Sequence, residues 1–551
     1  MKKTAIILLL SAMTLEISAQ TAFDALTLSR NNYEGTARSV AMGNAFTALG
    51  GDLGGVTINP AGSAVANYSQ ITVTPALTFS SCTSSGVSPY AGGGLPYFDR
   101  TMKNSTTKFS IPNIGFTINW NTGREYGLKN VTFGFIVNKT ADWNQDIYAS
   151  GISTGTSFMG QIAAQATALG YSRAALEADD ALYNPPAGAQ NWWKSVIGYQ
   201  TGMIATYDGS DDRYVAASQK FFNNTSTGQP EIVTAGELDQ TYGRRILGNK
   251  YEYIINAGAN ISDFLYIGLN LGVNTISYID NWYFKEAAVY PEDFKIEYDT
   301  DGDGNTDSSS EFNRMKYQSN YSMEGTGYFA KFGFILNPGA GIRVGAAIQT
   351  PTLTTINETW QESGETAFTS GSKPENYYLS SDLGENSWSF TSPLRVNAGL
   401  AYTIGRYGVV SADYEFCNYS SIRYKDSAGT PLEDLQWIND DIRNAFRTSH
   451  MLRLGLEAKP VEYLAIRAGY GFETSAERLL DRMNHNISFG LGYSSKGSFF
   501  ADLACRTSLM GAEFFMPYDD YDNSKGEVVY APEIKVKTSL WKVFMTLGWR
   551  F

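Results

Sequence analysis

Residues 541–551 read WKVFMTLGWRF. In an extended chain Trp541, Val543, Met545, Leu547, Trp549 and Phe551 share one face, and Lys542, Phe544, Thr546, Gly548 and Arg550 share the other. An unbroken apolar face opposed by one carrying Lys542 and Arg550 suits a strand with lipid outside and a filled lumen inside. Such a strand needs partners on both edges, because unpaired backbone groups in hydrocarbon are costly.

Working back along the chain, the same alternation recurs at about 70–80, 109–120, 131–139, 251–260, 264–283, 321–336 and 342–349, and in later pairs. Neighbouring runs are joined by short turns at 261–263, Asn337-Pro338-Gly339, Gly405-Arg406-Tyr407, Lys459-Pro460 and Lys496-Gly497. The opposite connections are long, at about 285–317, 351–387, 421–447 and 508–532, the largest at about 140–248. Short turns on one side and long loops on the other define an all-β chain: a transmembrane antiparallel β-barrel of about 14 strands in a bacterial outer membrane. Phe551 also resembles the C-terminal aromatic that outer-membrane insertion machinery recognises, so that machinery and outer-membrane lipids are expected partners.

Composition agrees with this reading. The 551 residues are 43% hydrophobic, 18% charged and 14% aromatic, with 35 Tyr, 30 Phe and 10 Trp, enough for aromatic girdles at two interfaces. Residues 1–19 read as a secretory signal, with Lys2-Lys3 before an apolar core and Ile17-Ser18-Ala19 at its end. No later apolar run is long enough for a membrane helix. Cys82, Cys417 and Cys505 are too few for a disulfide framework, and a net charge of −13 argues against nucleic acid.

Residues 33–68, YEGTARSVAMGNAFTALGGDLGGVTINPAGSAVANY, break the pattern. They are small, irregular and Gly-rich, with one or two short helices expected between breaks at Gly43, Gly50-Gly51 and Gly54-Gly55. A compact segment of this kind, at 20–68, followed by strands from 69 to 551, belongs beside or inside the sheet. Gly43, Ala45, Asp52 and the run Asn59-Pro60-Ala61-Gly62 resemble the N-terminal hatch of the FadL/TodX family of outer-membrane channels for hydrophobic compounds. The resemblance implies a plug inside the barrel, gated at those residues, and passive uptake of hydrophobic small molecules or lipids, long-chain fatty acids by default. It also implies sideways exit through a strand defect, for which Pro112, Gly115 and Gly134 are candidates. A similar barrel that binds protein, like the PorV-type barrels of protein secretion, is the alternative, and the long insertion leaves it open.

With the apolar face outward, Lys331, Arg343, Arg395, Asp413, Glu415, Arg453, Glu457, Arg467, Asp502, Lys542 and Arg550 point inward. Facing lipid, each charge would cost about 2–4 kcal/mol at midplane. They either form a paired network that docks the plug, or leave one of Arg343, Arg395, Arg453 and Arg467 to meet the carboxylate of an amphipathic ligand. In the insertion, Trp192-Trp193 is expected to be exposed and to collect such a ligand.

Asp299, Asp301, Asp303, Asn305 and Asp307, with Gly304 between them, follow calcium-loop spacing, although Ser310 stands where a bidentate Glu is expected. A structural calcium is the one cofactor candidate. Gly151-Ile152-Ser153-Thr154-Gly155 has the spacing of a nucleophile elbow without the buried strand before it. His450 and His485 lack evident partners, so an outer-membrane lipid hydrolase ranks below the non-enzyme readings.

Overall fold

The computed structural model describes residues 21–87, 97–186, 189–207, 209–223, 230–298, 308–425, 436–480, 482–495 and 498–551. Among them, fourteen antiparallel strands close a barrel. These are β1 (Gln70–Val87), β2 (Met102–Asn121), β3 (Leu128–Ser153), β4 (Leu238–Ile261), β5 (Leu265–Ala288) and β6 (Ser308–Gly339). Then come β7, in two segments (Ile342–Gln349 and Leu353–Ser370), and β8, also in two (Gly384–Thr391 and Arg395–Ile404). The circuit ends with β9 (Gly408–Asn418), β10 (Thr448–Val461), β11 (Leu464–Thr474), β12 (Met483–Ser494), β13 (Phe499–Leu509) and β14 (Glu533–Arg550). β14 pairs with β1 from Gln70↔Arg550 to Val87↔Glu533, which closes the circuit. Ser69 and Phe551 exchange backbone hydrogen bonds of 3.0 Å at the short-turn rim.

The expected phase holds along β14. Trp541, Met545, Trp549 and Phe551 are exposed, whereas Lys542, Phe544 and Thr546 are buried. Trp120, Phe264, Tyr402, Tyr407, Tyr463, Tyr493 and Trp549 ring the short-turn end as an aromatic girdle.

Several strands run well beyond the roughly 9–11 residues that cross a bilayer. β3 and β4 stay paired to Ser153↔Leu238, so the insertion is residues 154–237 and not the expected 140–248. Outside the bilayer both strand faces meet water or protein, so the apolar alternation fades while pairing continues. Much of the expected 351–387 loop is likewise strand, the second segment of β7 pairing with β6 from Leu353↔Tyr328 to Ser370↔Ser310. The insertion contains α4 (Phe158–Ala168), α5 (Arg173–Glu177) and α6 (Trp192–Gln200). It packs on an aromatic cluster inside the long-loop end, where Phe158 stacks on Phe284 at 5.2 Å.

The plug holds α1 (Ala22–Ser29), α2 (Ala37–Ala41), α3 (Leu53–Val56) and a 3-10 turn, Pro60–Val65. Each begins at a residue suited to it: Thr21, Thr36, Asp52 and Asn59 all accept a backbone N–H of the first turn. Gly43, Gly50 and Gly51 take positive φ and break the chain as expected. Gly54 and Gly55 do not; they lie inside α3, where a Cβ on Gly54 would come 2.5 Å from Ser39 Oγ. Their role is close packing between plug segments.

Candidate functional site: a parted ladder and a cavity above the plug

The plug fills the lower lumen, with Val40, Ala41, Phe46 and Val56 wholly buried. The barrel wall is thinned to receive it. A Cβ on Gly268 would lie 2.3 Å from the Pro60 carbonyl carbon, on Gly333 2.0 Å from Asn59 Oδ1, on Gly345 2.2 Å from the Thr47 oxygen, and on Gly469 2.1 Å from the Gly43 nitrogen. This glycine ring was not read from the sequence. The signal available was glycine at inward positions of successive strands.

The plug residues singled out by resemblance are packed or hydrogen-bonded within the plug or to the wall, and the Ala45 carbonyl accepts from Ser411 Oγ. Gly43 sits against Leu454 and Tyr470 backbone. Asp52 accepts from Thr36 Oγ1 at 2.7 Å and from the Gly55 N–H at 3.1 Å. The Asn59 amide donates to the Thr47 and Phe334 carbonyls at 2.6 and 3.1 Å. The Pro60 carbonyl accepts from Asn256, Ala61 is buried, and the Gly62 carbonyl accepts from the Gly51 N–H at 2.8 Å.

Of the four lumen arginines, Arg343 and Arg395 donate to plug carbonyls, while Arg453 and Arg467 pair with carboxylates of the wall. Arg395 pairs with Glu415 at 2.6 Å and donates to the Ser29 carbonyl at 2.5 Å. Arg453 pairs with the other oxygen of Glu415, and Arg467 with Glu457 and Asp502 at 2.7 and 2.6 Å. Arg343, which has no carboxylate partner among the described residues, donates to the Leu49 carbonyl at 2.7 Å from beside the β6–β7 turn. Arg38 of the plug reaches Glu457 at 2.9 Å; burial would lower its pKa, but that carboxylate outweighs burial and raises it.

Above the plug the ladder between β2 and β3 parts. β2 and β3 pair only from Asn121↔Asn130 to Asn113↔Asn138, although β2 continues to Met102 beside β1 and β3 continues to Ser153 beside β4. The parting begins at a bulge where Ile111 and Pro112 of β2 stand opposite Pro75 of β1. Neither proline has an N–H for the ladder. Pro112 is therefore inside β2 and next to its last pair with β3, whereas Gly115 and Gly134 lie within the intact ladder, opposite Ile136 and Thr117. The exposed Phe109, Ile111 and Ile114 place this point in the lipid-facing belt.

Side chains and the plug bridge the parting. The Asn32 and Glu34 N–H groups donate to the Thr140 and Lys139 carbonyls at 2.5 and 2.9 Å, so the plug takes the edge that β2 leaves vacant. The Glu34 carboxylate meets Lys139 at 2.9 Å, Arg506 at 3.5 Å and Lys542. Asp142 meets Lys542 at 2.7 Å, Lys108 at 3.3 Å and Lys139 at 3.5 Å. Burial would push the Glu34 carboxyl up, but Lys542 and then Lys139 outweigh it and hold it below its ordinary value. Further out, Asn144 donates to Thr106 Oγ1 at 3.2 Å.

A cavity of about 540 Å³ lies between α1, the start of α6 and the walls of β4–β7. Trp193, Trp282, Trp360, Tyr278 and Tyr321 line it with Asp24, Asp280, Glu362, Arg244 and Lys194. Trp143, adjacent to Asp142 at the parting, meets Tyr278 of the cavity edge-on at 5.4 Å. The expected exposed pair divides: Trp192 is buried and donates to the Ala181 carbonyl at 2.5 Å, while Trp193 approaches Trp360 at 6.3 Å.

The remaining candidates lie apart. His450 and His485 stack on Tyr414 and Tyr470, whose rings are exposed on the barrel's outer face. Ser153 Oγ donates to the Thr156 carbonyl at 2.9 Å. Asp299, Asp301, Asp303, Asn305 and Asp307 fall outside the described residues.

Closed barrel, lipid-facing belt, girdle and internal hatch together define a plugged outer-membrane β-barrel. No protein-family model matches the sequence, and no curated protein does. Among solved structures the chain is similar to a Pseudomonas aeruginosa FadL homologue, at 10% identity and TM-score 0.49, over 94% of this chain and 98% of that one. It is also similar to the Pseudomonas putida toluene transporter TodX, at 12% identity and TM-score 0.46, over 94% and 99%. A third is the Ralstonia pickettii toluene transporter TbuX, at 13% identity and TM-score 0.43, over 94% and 98%.

Proposed function

We propose that the protein is a channel that passes hydrophobic or amphipathic small molecules from the long-loop side into the bilayer, leaving through the parting between β2 and β3. The observation that carries this reading is the loss of β2–β3 pairing above Asn113↔Asn138 inside the lipid-facing belt, over a lumen closed by the plug. A water-soluble solute would need the axial path, which the plug and its ion pairs fill. An apolar molecule needs only an aromatic cavity and a side exit to lipid, and the cavity and the sealed parting of β2 from β3 are the features that support such a path.

Gating in this scheme is local. The plug is fastened at α2, α3 and the Pro60–Val65 turn by buried charges and amides, so wholesale ejection would break many such contacts at once. The segment 32–34 is held to the parting by two backbone bonds and the Glu34 cluster, and its release would free the opening. Long-chain fatty acids, the default by resemblance, would need a cation for their carboxylate. Arg395, Arg453 and Arg467 are already paired, and Arg343 lies at the short-turn end; the hydrophobic class as a whole is therefore the better-supported substrate.

The test is uptake of labelled toluene and of labelled palmitate by liposomes carrying the protein, before and after crosslinking Thr106→Cys to Asn144→Cys in a background without the native cysteines. Crosslinking should stop uptake and reduction should restore it. Equal uptake in the crosslinked state would rule out the lateral route.

A further inference from the structure

The cavity above the plug has a charge pattern that names a head group. On β5, Tyr278, Asp280 and Trp282 share the inward face; on β7, Glu358, Trp360 and Glu362 do the same. β6 lies between them, and its register aligns Trp282, Ser319 and Glu362 in one row, and Asp280, Tyr321 and Trp360 in the next. The wall is thus a checkerboard of aromatic rings and carboxylates. Phe23, Asp24 and Thr27 of α1 and Trp193 of α6 complete the lining.

The lining carries three carboxylates, Asp24, Asp280 and Glu362, against two cations, Arg244 and Lys194. Arg244 is spent on Asp280, which it grips with two bonds of 2.9 and 2.6 Å. The Lys194 ammonium lies over the Phe158 ring at 5.7 Å. Asp24 and Glu362 form no ion pair among the described residues, and Lys194 is the cation whose charge acts on Glu362 from a distance. Asp24 accepts from the Thr21 N–H and Oγ1, both at 2.8 Å, and Glu362 accepts from the Tyr317 hydroxyl at 2.5 Å. Behind Trp360, Glu358 accepts from Tyr321 at 2.6 Å and Asn386 at 2.9 Å, again without a cation. Above the pH at which Asp24 loses its proton, about 6, its carboxylate is an acceptor only, so a ligand that complements it brings donors, and the negative excess favours a positive one. Tryptophan faces attract the same kind of group.

We propose that this cavity binds a small amphipathic cation, an alkyl- or arylammonium whose apolar body rests on Trp193, Trp282 and Trp360 while its N–H donors meet Asp24 and Glu362. A carboxylate head group would face Asp24, Glu362 and Glu358 with Lys194 alone to answer it. The inference rests on the channel reading, in that the cavity is the antechamber of the same lateral route, and it names the head group that the route selects. A volume of about 540 Å³ suits a molecule of this size.

The experiment uses the full chain in detergent and three probes of one skeleton: 3-phenylpropylamine, 3-phenylpropanol and 3-phenylpropionate, followed by quenching of tryptophan fluorescence and by calorimetry. The amine should bind at least about tenfold more tightly than the carboxylate, with the neutral alcohol between. Asp24→Asn with Glu362→Gln should bring the amine to the level of the alcohol, and the wild-type comparison stands even if that variant does not fold. Equal or tighter binding of the carboxylate, equal binding of amine and alcohol, an amine preference that survives in the double variant, or no binding of any probe overturns the proposal. Toluene uptake reads the channel independently of the head group. Uptake that crosslinking stops, with no preference among the probes, removes this inference and keeps the channel; amine selectivity with uptake indifferent to crosslinking does the reverse.

Discussion

The carboxylate of Glu34 lies 2.9 Å from the ammonium of Lys139, the first residue of β3 beyond its last pair with β2. The same two residues form a backbone bridge, so one plug residue closes the ladder defect by main chain and by charge. Where the plug enters the wall, β2 has already left it.

Glu34→Gln should therefore weaken both the seal and the fold. It leaves Lys139 and Lys542 with Asp142 as their remaining carboxylate and Arg506 with no ion pair among the described residues, and loss of one partner from a buried ionic cluster costs about 3–5 kcal/mol. Thermal unfolding in detergent should shift down and liposome uptake of toluene should rise. Glu34→Gln combined with Lys139→Met, which removes one charge of each sign, should recover part of the stability and keep the faster uptake.

At the foot of the plug, Glu457→Gln should destabilise more than Arg38→Met. Glu457 answers both Arg38 and Arg467, whereas Arg467 and Glu457 remain paired when Arg38 is lost. The difference should be about 1–3 kcal/mol, read by thermal unfolding, with plug protection from protease falling in the same order.

The glycine ring makes a steric prediction. Gly345→Ala would place a methyl 2.2 Å from the Thr47 carbonyl, a backbone atom with little freedom to move, whereas at Gly471 the nearest atom is 3.6 Å away. Gly345→Ala should lower stability by about 1–3 kcal/mol and bring intermittent conductance in planar bilayers, and Gly471→Ala should do neither.

Asp24 supplies the pH dependence. Burial pushes its carboxyl up to about 6, Thr21 opposes this, and Glu358 and Asp280 add to it; Arg244, Lys194 and the hydroxyls of Tyr278, Tyr321 and Tyr424 are the other polar groups around it. Its ordinary value is 3.8, so between 3.8 and about 6 the docked helix holds a proton that the undocked helix has lost. Docking of α1 is therefore strongest below that window, weakens as pH rises through it, and is constant above. Hydrogen exchange of amides 22–29, corrected for intrinsic rates, should show more frequent opening at pH 7 than at pH 4, and Asp24→Asn should remove the difference.

Much of the architecture was present in local patterns. The two-residue period from Trp541 to Phe551 determined the strand, its phase and the burial of Lys542, because lipid on one side and a filled lumen on the other leave each residue one acceptable face. Gly43 and Gly50-Gly51 marked real breaks in the plug because positive φ is a property of the single residue. Pro112 was a candidate defect for an equally local reason, its missing N–H. Gly115 and Gly134 carried a similar signal and sit in intact ladder, since a glycine in a strand keeps its N–H.

The partners were decided only by the tertiary structure. Nothing near Arg395, Arg453 or Arg467 announces that Glu415, Glu457 and Asp502 will answer them across neighbouring strands, or that Arg343 will meet the Leu49 carbonyl. The parting needs Pro75 to face Pro112, and its seal needs Glu34 to meet Lys542 more than five hundred residues away in the chain. The acid-and-aromatic wall exists because three strands and two helices converge on it. Alternation records which side of the barrel a residue faces; register and closure determine what it meets there, and those depend on the whole circuit of strands.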